Sequence, residues 1–303
     1  MKKFVSVILA LVMVLSFCTV AFATDTEAGD MTMMYTPTSL TFTNESFTVN
    51  GYTSYTTKAQ VPASANLSSL PVTISYTGIA LKINGVQVST NGTYSGAIDL
   101  ASTVTTIEVV TGSGSRVYYA AAYPASFSSS IQINYANLVT LSTMTANTSY
   151  IGGMSGATQC PYLSLVTADE IANAATAVEQ LSAMIPASAT TYTATSGKTA
   201  MSLLNDLATA NTLTIMDSDY NMLTDATTYV DSIEGVDMTY SPQYSHYGYG
   251  GNAGGWMFGV KRGTSTVYVY PGISAAYFYL MPGDQVMWIY TCDLGYDLGA
   301  PMM

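Results

Sequence analysis

The sequence predicts a chain that is mainly β with an α+β C-terminal part: an N-terminal antiparallel β-sandwich, then a mixed β domain carrying one or two helices. Three observations predict it. From Ser39 to Tyr123, short runs of Val, Ile, Thr and Tyr are cut by turn residues, as in TFTNESFTVNG and LPVTISYTGIALKING. Helical spacing of apolar residues appears only after Thr167 and again after Thr199. The end of the chain returns to aromatic-rich, strand-like runs, GGWMFGV and MPGDQVMWIYTCDLGYDLG.

Lys2 and Lys3 precede an apolar run from Phe4 to Phe17, and Ala21-Phe22-Ala23 precedes an acidic stretch. This is the pattern of a secretory signal peptide over residues 1–23 with an A-x-A cleavage site. A secreted, extracellular or cell-surface protein is therefore expected. No membrane span is expected in the mature chain, because no later run reaches the roughly 20 apolar residues that cross a bilayer. Residues 24–37, acidic and then Met/Thr-rich, read as a linker. The remaining length, at roughly 150 residues per domain, suggests two domains.

Charged residues make up 9% of the chain, against about a quarter in ordinary domains. Between Arg116 and Asp169 there is none. Ser, Thr and Asn interrupt these stretches every few residues, which points to a hydroxyl-rich exported surface, the composition of surface layers, fibres and adhesins. The formal net charge is −11, and loss of Lys2 and Lys3 makes it more negative. Nucleic acid and anionic lipid are poor partners for such a chain, since their phosphates would find few counter-charges.

Residues 38–125 form the expected sandwich. Asn84-Gly85 and Asn91-Gly92 signal tight turns, because both central positions of a type I′ turn need positive φ. Gly112-Ser113-Gly114 joins two alternating runs, Val104 to Val110 and Arg116 to Ala121. Short strands at this spacing suggest a small antiparallel sandwich. The pattern is similar to the cadherin-like β-sandwich modules of bacterial surface proteins.

Residues 126–166 read as a connecting segment with one β-prone run, Ile131 to Leu141. A helix is expected over 167–186. Thr167-Ala168-Asp169-Glu170 is a capping box, in which the threonine oxygen accepts an orphan backbone N–H and the glutamate reaches back. Ile171, Ala174, Val178, Leu181 and Ile185 then share one face, a core-packing stripe, and Pro186 stops the helix. A second helix near Thr199 places Met201, Leu204, Leu207 and Ala208 together.

The C-terminal run supplies Gly255-Trp256-Met257-Phe258, then Pro282-Gly283-Asp284, then Trp288-Ile289-Tyr290-Thr291, then Asp293-Leu294-Gly295 and Asp297. This block resembles the DUF4430 family, bacterial modules related to the C-terminal domain of transcobalamin and intrinsic factor. The family's run is a GWMY-like strand, a GD turn, a W-x-Y-T strand and a DLG-x-D-G tail. The resemblance covers about residues 187–299 and implies a β-grasp-like domain, in which the helix after Thr199 crosses a mixed sheet and packs on Trp288 and Tyr290. Where the family turns through VNG, this chain reads Val260-Lys261-Arg262-Gly263, so a longer hairpin presenting two cations is expected.

Two cysteines remain after the signal peptide, Cys160 and Cys292. An even count in an oxidising compartment reads as a disulfide; the other reading is two buried thiols. His246 is the single histidine. With two distant cysteines it does not supply the three or four ligands of a zinc site, and no nucleophile can be assigned a base, so no metal, cofactor or enzymatic activity is expected. Asp217, Asp219, Asn221 and Asp225 echo a calcium loop, but Met222 and Thr228 stand where glycine and glutamate are required.

Tyr244, His246, Tyr247 and Tyr249 lie in a Tyr/Gly loop of paratope-like chemistry. With Trp256 they are the candidate ligand-binding residues. Two functions follow. The first is a non-enzymatic structural or adhesion protein of tandem β modules, whose partners are other surface proteins, glycans or itself. The second, implied by the transcobalamin resemblance, is an extracellular small-ligand binder, with a corrinoid as the ligand.

Overall fold

The computed structural model describes residues 28–49, 52–150, 152, 164–186, 190–195, 197–243, 252, 254–293 and 295–298. The sandwich strands are β1 (Met31–Tyr35), β2 (Leu40–Thr41), β3 (Thr43–Val49), β4 (Tyr52–Gln60), β5 (Leu70–Tyr76), β6 (Ala80–Ile83), β7 (Val86–Ser89), β8 (Thr93–Ile98), β9 (Thr105–Val110) and β10 (Ser115–Tyr123). They form a four-stranded sheet, β2-β1-β5-β8, and a six-stranded sheet, β3-β4-β10-β9-β6-β7. Alternate residues of β1, β5 and β9 are buried and meet in one core with Leu81, Tyr118 and Ala120, as period-2 strands with one inward face require.

The chain changes sheets at both edges of the sandwich. Buried Phe42 lies between β2 and β3, and Asn91-Gly92 lies between β7 and β8. The two Asn-Gly signals therefore resolve differently. Asn84 and Gly85 both have positive φ, 49° and 78°, in the tight β6–β7 turn. At the second signal the positive φ belongs to Gly92, while the Asn91 side chain accepts the Thr93 N–H at 3.3 Å. The sandwich also holds one parallel pair, β4 with β10. β1 falls within the stretch read as linker: Met31, Met33 and Tyr35 point into the core while Thr32 is exposed.

The second part comprises β11 (Ser126–Asn134), α1 (Ala136–Ser142), α2 (Ala168–Met184), β12 (Thr190–Thr195), α3 (Ala200–Asn211), the short pair β13 (Ile215–Met216) and β14 (Ser232–Ile233), β15 (Gly255–Lys261) and β16 (Gln285–Thr291). The sheet order is β12-β11-β16-β15, with antiparallel outer pairs and a parallel central pair. Taken in chain order this is 2-1-4-3 with a helix between the two outer pairs, a β-grasp-like arrangement. Its first central strand, β11, comes from the stretch read as connecting segment, and α1 follows it. The Thr167 cap forms as the sequence predicts: Thr167 accepts the Glu170 N–H and the Glu170 carboxylate accepts the Thr167 N–H; at the start of α3 the structure adds a second such exchange, between Thr199 and Ser202. No helix among the described residues is long and apolar enough to cross a membrane.

β16 is buried on both faces. One face carries Val286, Trp288 and Tyr290 into the main core; the other carries Met287 and Ile289 against Leu298, Met257 and Tyr270. Across the β15–β16 register Trp256 faces Tyr290 and Phe258 faces Trp288, at ring separations of 5.3 and 5.7 Å. Such cross-strand aromatic pairs stabilise a sheet beyond their buried area.

Residues 262–284 join the two strands in a long excursion over the sandwich, and an ion pair closes its ends. Arg262 Nε and Nη2 donate to the two Asp284 carboxylate oxygens at 2.8 and 2.9 Å, with the side chains 1% and 0% exposed. Arg262, expected as a presented cation, is therefore buried, while Lys261 sits over the Tyr268 ring. Asp284 also accepts the Met281 N–H at 2.9 Å, and its carbonyl accepts the Ser130 N–H of β11.

Arg262→Ala leaves a buried carboxylate without its counter-charge and is expected to lose about 3 to 5 kcal/mol, read by urea unfolding. Arg262→Met with Asp284→Leu removes both charges and is expected to lose less than Arg262→Ala alone.

Candidate functional site

The loop that carries Tyr244, His246, Tyr247 and Tyr249 lies outside the described residues. Its two ends are placed: Gln243 and Asn252 form an antiparallel bridge, and the Gln243 N–H donates to Glu170 of the capping box at 2.9 Å. Trp256 is 4% exposed, and its indole N–H donates to the Val236 carbonyl at 2.8 Å. That places Trp256 in the core, with its polar atom already bonded. Cys292 is a buried free cysteine; Cys160 lies outside the described residues. In the calcium-like stretch, Asp217 accepts the N–H groups of Asp219 and Asn221, and Asp225 accepts from Asn205. These carboxylates therefore serve turns and a helix contact. No cluster of three metal-ligating side chains occurs among the described residues.

The polar side chains of the C-terminal tail bond to the fold itself. The Asp297 carboxylate accepts the Thr291 hydroxyl at 2.6 Å, the Cys292 N–H at 2.7 Å and the Tyr150 hydroxyl at 3.1 Å. Gly152 lies so close that a Cβ there would come within 2.2 Å of the Asp297 Cβ. Burial pushes the Asp297 carboxyl above the ordinary 3.8, outweighing the four hydrogen bonds that act the other way, from the Thr291 and Tyr150 hydroxyls and the Cys292 and Asp297 backbone. It likewise pushes the Cys292 thiol well above its usual value, with the Asp297 charge adding to the shift.

Two features outside the sequence-predicted set have site character. The first is the seam between the two parts. Ser54 donates to the Gly272 carbonyl at 2.8 Å, and the Gly272 N–H donates to the Tyr119 hydroxyl at 2.7 Å. Lys58 pairs with Glu45 at 2.7 Å and bonds the Tyr279 hydroxyl, which itself donates to Glu45 at 2.7 Å. Phe47 stacks on Tyr277 at 4.7 Å and Tyr123 on Tyr279 at 6.3 Å. Gly263, at φ +56°, abuts the Ala101 carbonyl so tightly that a Cβ would lie 2.0 Å from it. The 262–284 excursion thus packs on the outer face of β3, β4 and β10, one half of the six-stranded sheet.

The second feature is an open cleft of about 610 Å³ at one end of the sandwich, between the two sheets. β1 and β5 contribute Thr32 and Tyr76, while β3, β4 and β10 contribute Asn44, Tyr55 and Arg116 with Tyr118. Three of its polar side chains are held in place. Arg116 pairs with Asp30 and stands 5.2 Å from the centre of the Tyr55 ring. Asn44 donates to the Met31 carbonyl at 2.6 Å, and Tyr118 donates to the Gly29 carbonyl at 3.1 Å. The size falls within the usual range of ligand clefts, roughly 300–1,000 Å³. Sequence reading missed it because its residues come from five strands and from Asp30, in the stretch read as linker. The one local signal is Arg116, the last cation before the long uncharged stretch.

No protein-family model matches the chain, and no curated protein matches it either.

The raised Asp297 pKa sets a sign. A carboxyl that holds its proton more tightly when folded contributes stability fully present below about pH 3.8, and that contribution is lost as pH rises through the folded pKa. Thermal melts from pH 3.5 upward are expected to show this downward component, and Asp297→Asn to flatten it.

Proposed function

We propose that this protein is an exported structural and adhesive protein of the cell surface, without enzymatic activity, built from a β-sandwich and a DUF4430-like β-grasp module. The observation that carries the reading is the seam: ion pair, phenol hydrogen bonds and stacked rings join the two modules over a shared core. A rigid tandem unit suits a protein that presents a surface and holds its orientation under load, whereas a hinge between modules would suit a closing ligand trap.

Export is supported by Lys2, Lys3, the apolar run and Ala21-Phe22-Ala23. The DUF4430-like assignment is supported by the 2-1-4-3 sheet order and by the aromatic pairs of β15 and β16. Low charge and abundant Ser, Thr and Tyr favour contacts through hydroxyls and rings, with glycans, other surface proteins or further copies of the chain as partners. The buried position of Trp256 favours this reading over a corrinoid carrier with that indole at the mouth of its site.

The test uses the mature chain from Thr24 in two assays. Co-sedimentation with isolated bacterial cell walls, or concentration-dependent assembly in sedimentation velocity, is the expected result. A visible-band shift of an added corrinoid that disappears in His246→Ala, without wall binding or assembly, would replace this reading with the carrier.

A further inference from the structure

We propose that the cleft at the end of the sandwich binds a neutral oligosaccharide, an inference that rests on the adhesive reading and gives it a ligand class and a site. Three ionised residues line the cleft, Asp30, Glu45 and Arg116, and each stands in an ion pair: Arg116 with Asp30, and Glu45 with Lys58. The cleft therefore has little net field to attract a cation or an anion, and the acidic chain as a whole repels phosphate and carboxylate ligands.

What the cleft does offer is a high density of oriented donors and acceptors beside aromatic rings. Asn44 carries a planar amide with more hydrogen-bonding positions than its bond to the Met31 carbonyl engages, and the Arg116 guanidinium, paired with Asp30, lies beside the Tyr55 ring. Thr32, Ser46, Ser75 and Thr77 add hydroxyls from both sheets. Tyr55 is partly exposed, braced by Arg116 on one side and by the Tyr118 ring at 5.1 Å. A saccharide matches this combination: its C–H faces lie on aromatic rings, and its neighbouring hydroxyls pair with planar amide, carboxylate and guanidinium groups. An apolar ligand would leave the polar lining without partners as it displaced water from it, which weighs against such a ligand.

The cleft is also preorganised. Tyr118 anchors Gly29, Asn44 anchors Met31, and Arg116 anchors Asp30, so the three side chains hold the first residues of the sandwich across the cleft floor. A Cβ at Gly29 would fall 2.8 Å from the Arg116 side chain, so the backbone there is fitted to the guanidinium stem. Side chains already ordered lose less freedom when a ligand docks.

The experiment uses the mature chain with ¹³C-methyl methionine, since Met31 lines the cleft, and titrates cellotetraose, chitotetraose and the acidic tetragalacturonate. The expected result is a saturable shift of the Met31 methyl with a neutral tetrasaccharide, weakened at least about tenfold in Tyr55→Ala. Thr32→Arg, an exposed rim change that fills the cleft and leaves the core intact, is expected to abolish it, which keeps the test valid if Tyr55→Ala unfolds. The proposal is overturned if no neutral tetrasaccharide shifts Met31, if only tetragalacturonate does, or if binding survives Thr32→Arg. Wall binding or assembly that persists in the absence of any Met31 shift rejects the saccharide site and leaves the adhesive reading standing; loss of both rejects both.

Discussion

The Arg262–Asp284 ion pair is the constraint on which the arrangement of this protein depends. It lies one step beyond the last β15–β16 register pair, Lys261 with Gln285, and closes the two ends of the 262–284 excursion in a site almost without solvent. Buried ion pairs are costly to desolvate and contribute little net stability unless their geometry is good and their remaining groups are bonded. Here the contact is bidentate, and the carboxylate also takes the Met281 N–H. Arg262 Nη1 has no hydrogen-bond partner among the described residues, so the pair acts more as a device for fixing geometry than as a source of net stability. With both ends pinned, Gly272 to Tyr279 is positioned to cover the outer face of β3, β4 and β10.

That coverage explains features of the sandwich that its own fold does not require. A surface sheet buries alternate residues, yet Ala120, Ala121, Ala122 and Tyr123 at the end of β10 are all buried, because one face meets the sandwich core and the other meets the excursion. Thr56 and Thr57 on β4 are buried together for the same reason. The Lys58, Glu45 and Tyr279 contacts place the few charges of this region inside the seam, where low dielectric strengthens them, and leave a hydroxyl-rich, weakly charged exterior. The proposed adhesive function draws on this exterior, and the ligand proposed for the cleft is one held by hydrogen bonds and rings in preference to net charge.

Local signals carried much of this fold. The capping box at Thr167, the Asn84-Gly85 turn, and the aromatic alternation of Trp256, Phe258, Trp288 and Tyr290 depend on neighbours within a few residues, and a sequence displays such patterns directly. Long-range features were hidden. β1 reads Met-Thr-Met-Met-Tyr, whose period-2 burial is masked by methionine, a weak strand former. α1 reads Ala-Asn-Leu-Val-Thr-Leu-Ser, with β-branched residues that favour strand; packing of Leu138 and Leu141 against the core overrides that preference. Arg262 looked like a presented cation because its partner is more than twenty residues away, and the cleft residues are brought together only by the closing of two sheets.

The central claim is that the 262–284 excursion, pinned by this ion pair, makes the two modules one cooperative body. Native-state hydrogen exchange tests it most directly, comparing slow amides of β4 and β10 in the sandwich with those of β16 in the β-grasp sheet. The account predicts that Arg262→Ala lowers the opening free energy of both sets by the same amount. Loss of protection confined to β15 and β16, with β4 and β10 unchanged, would contradict it.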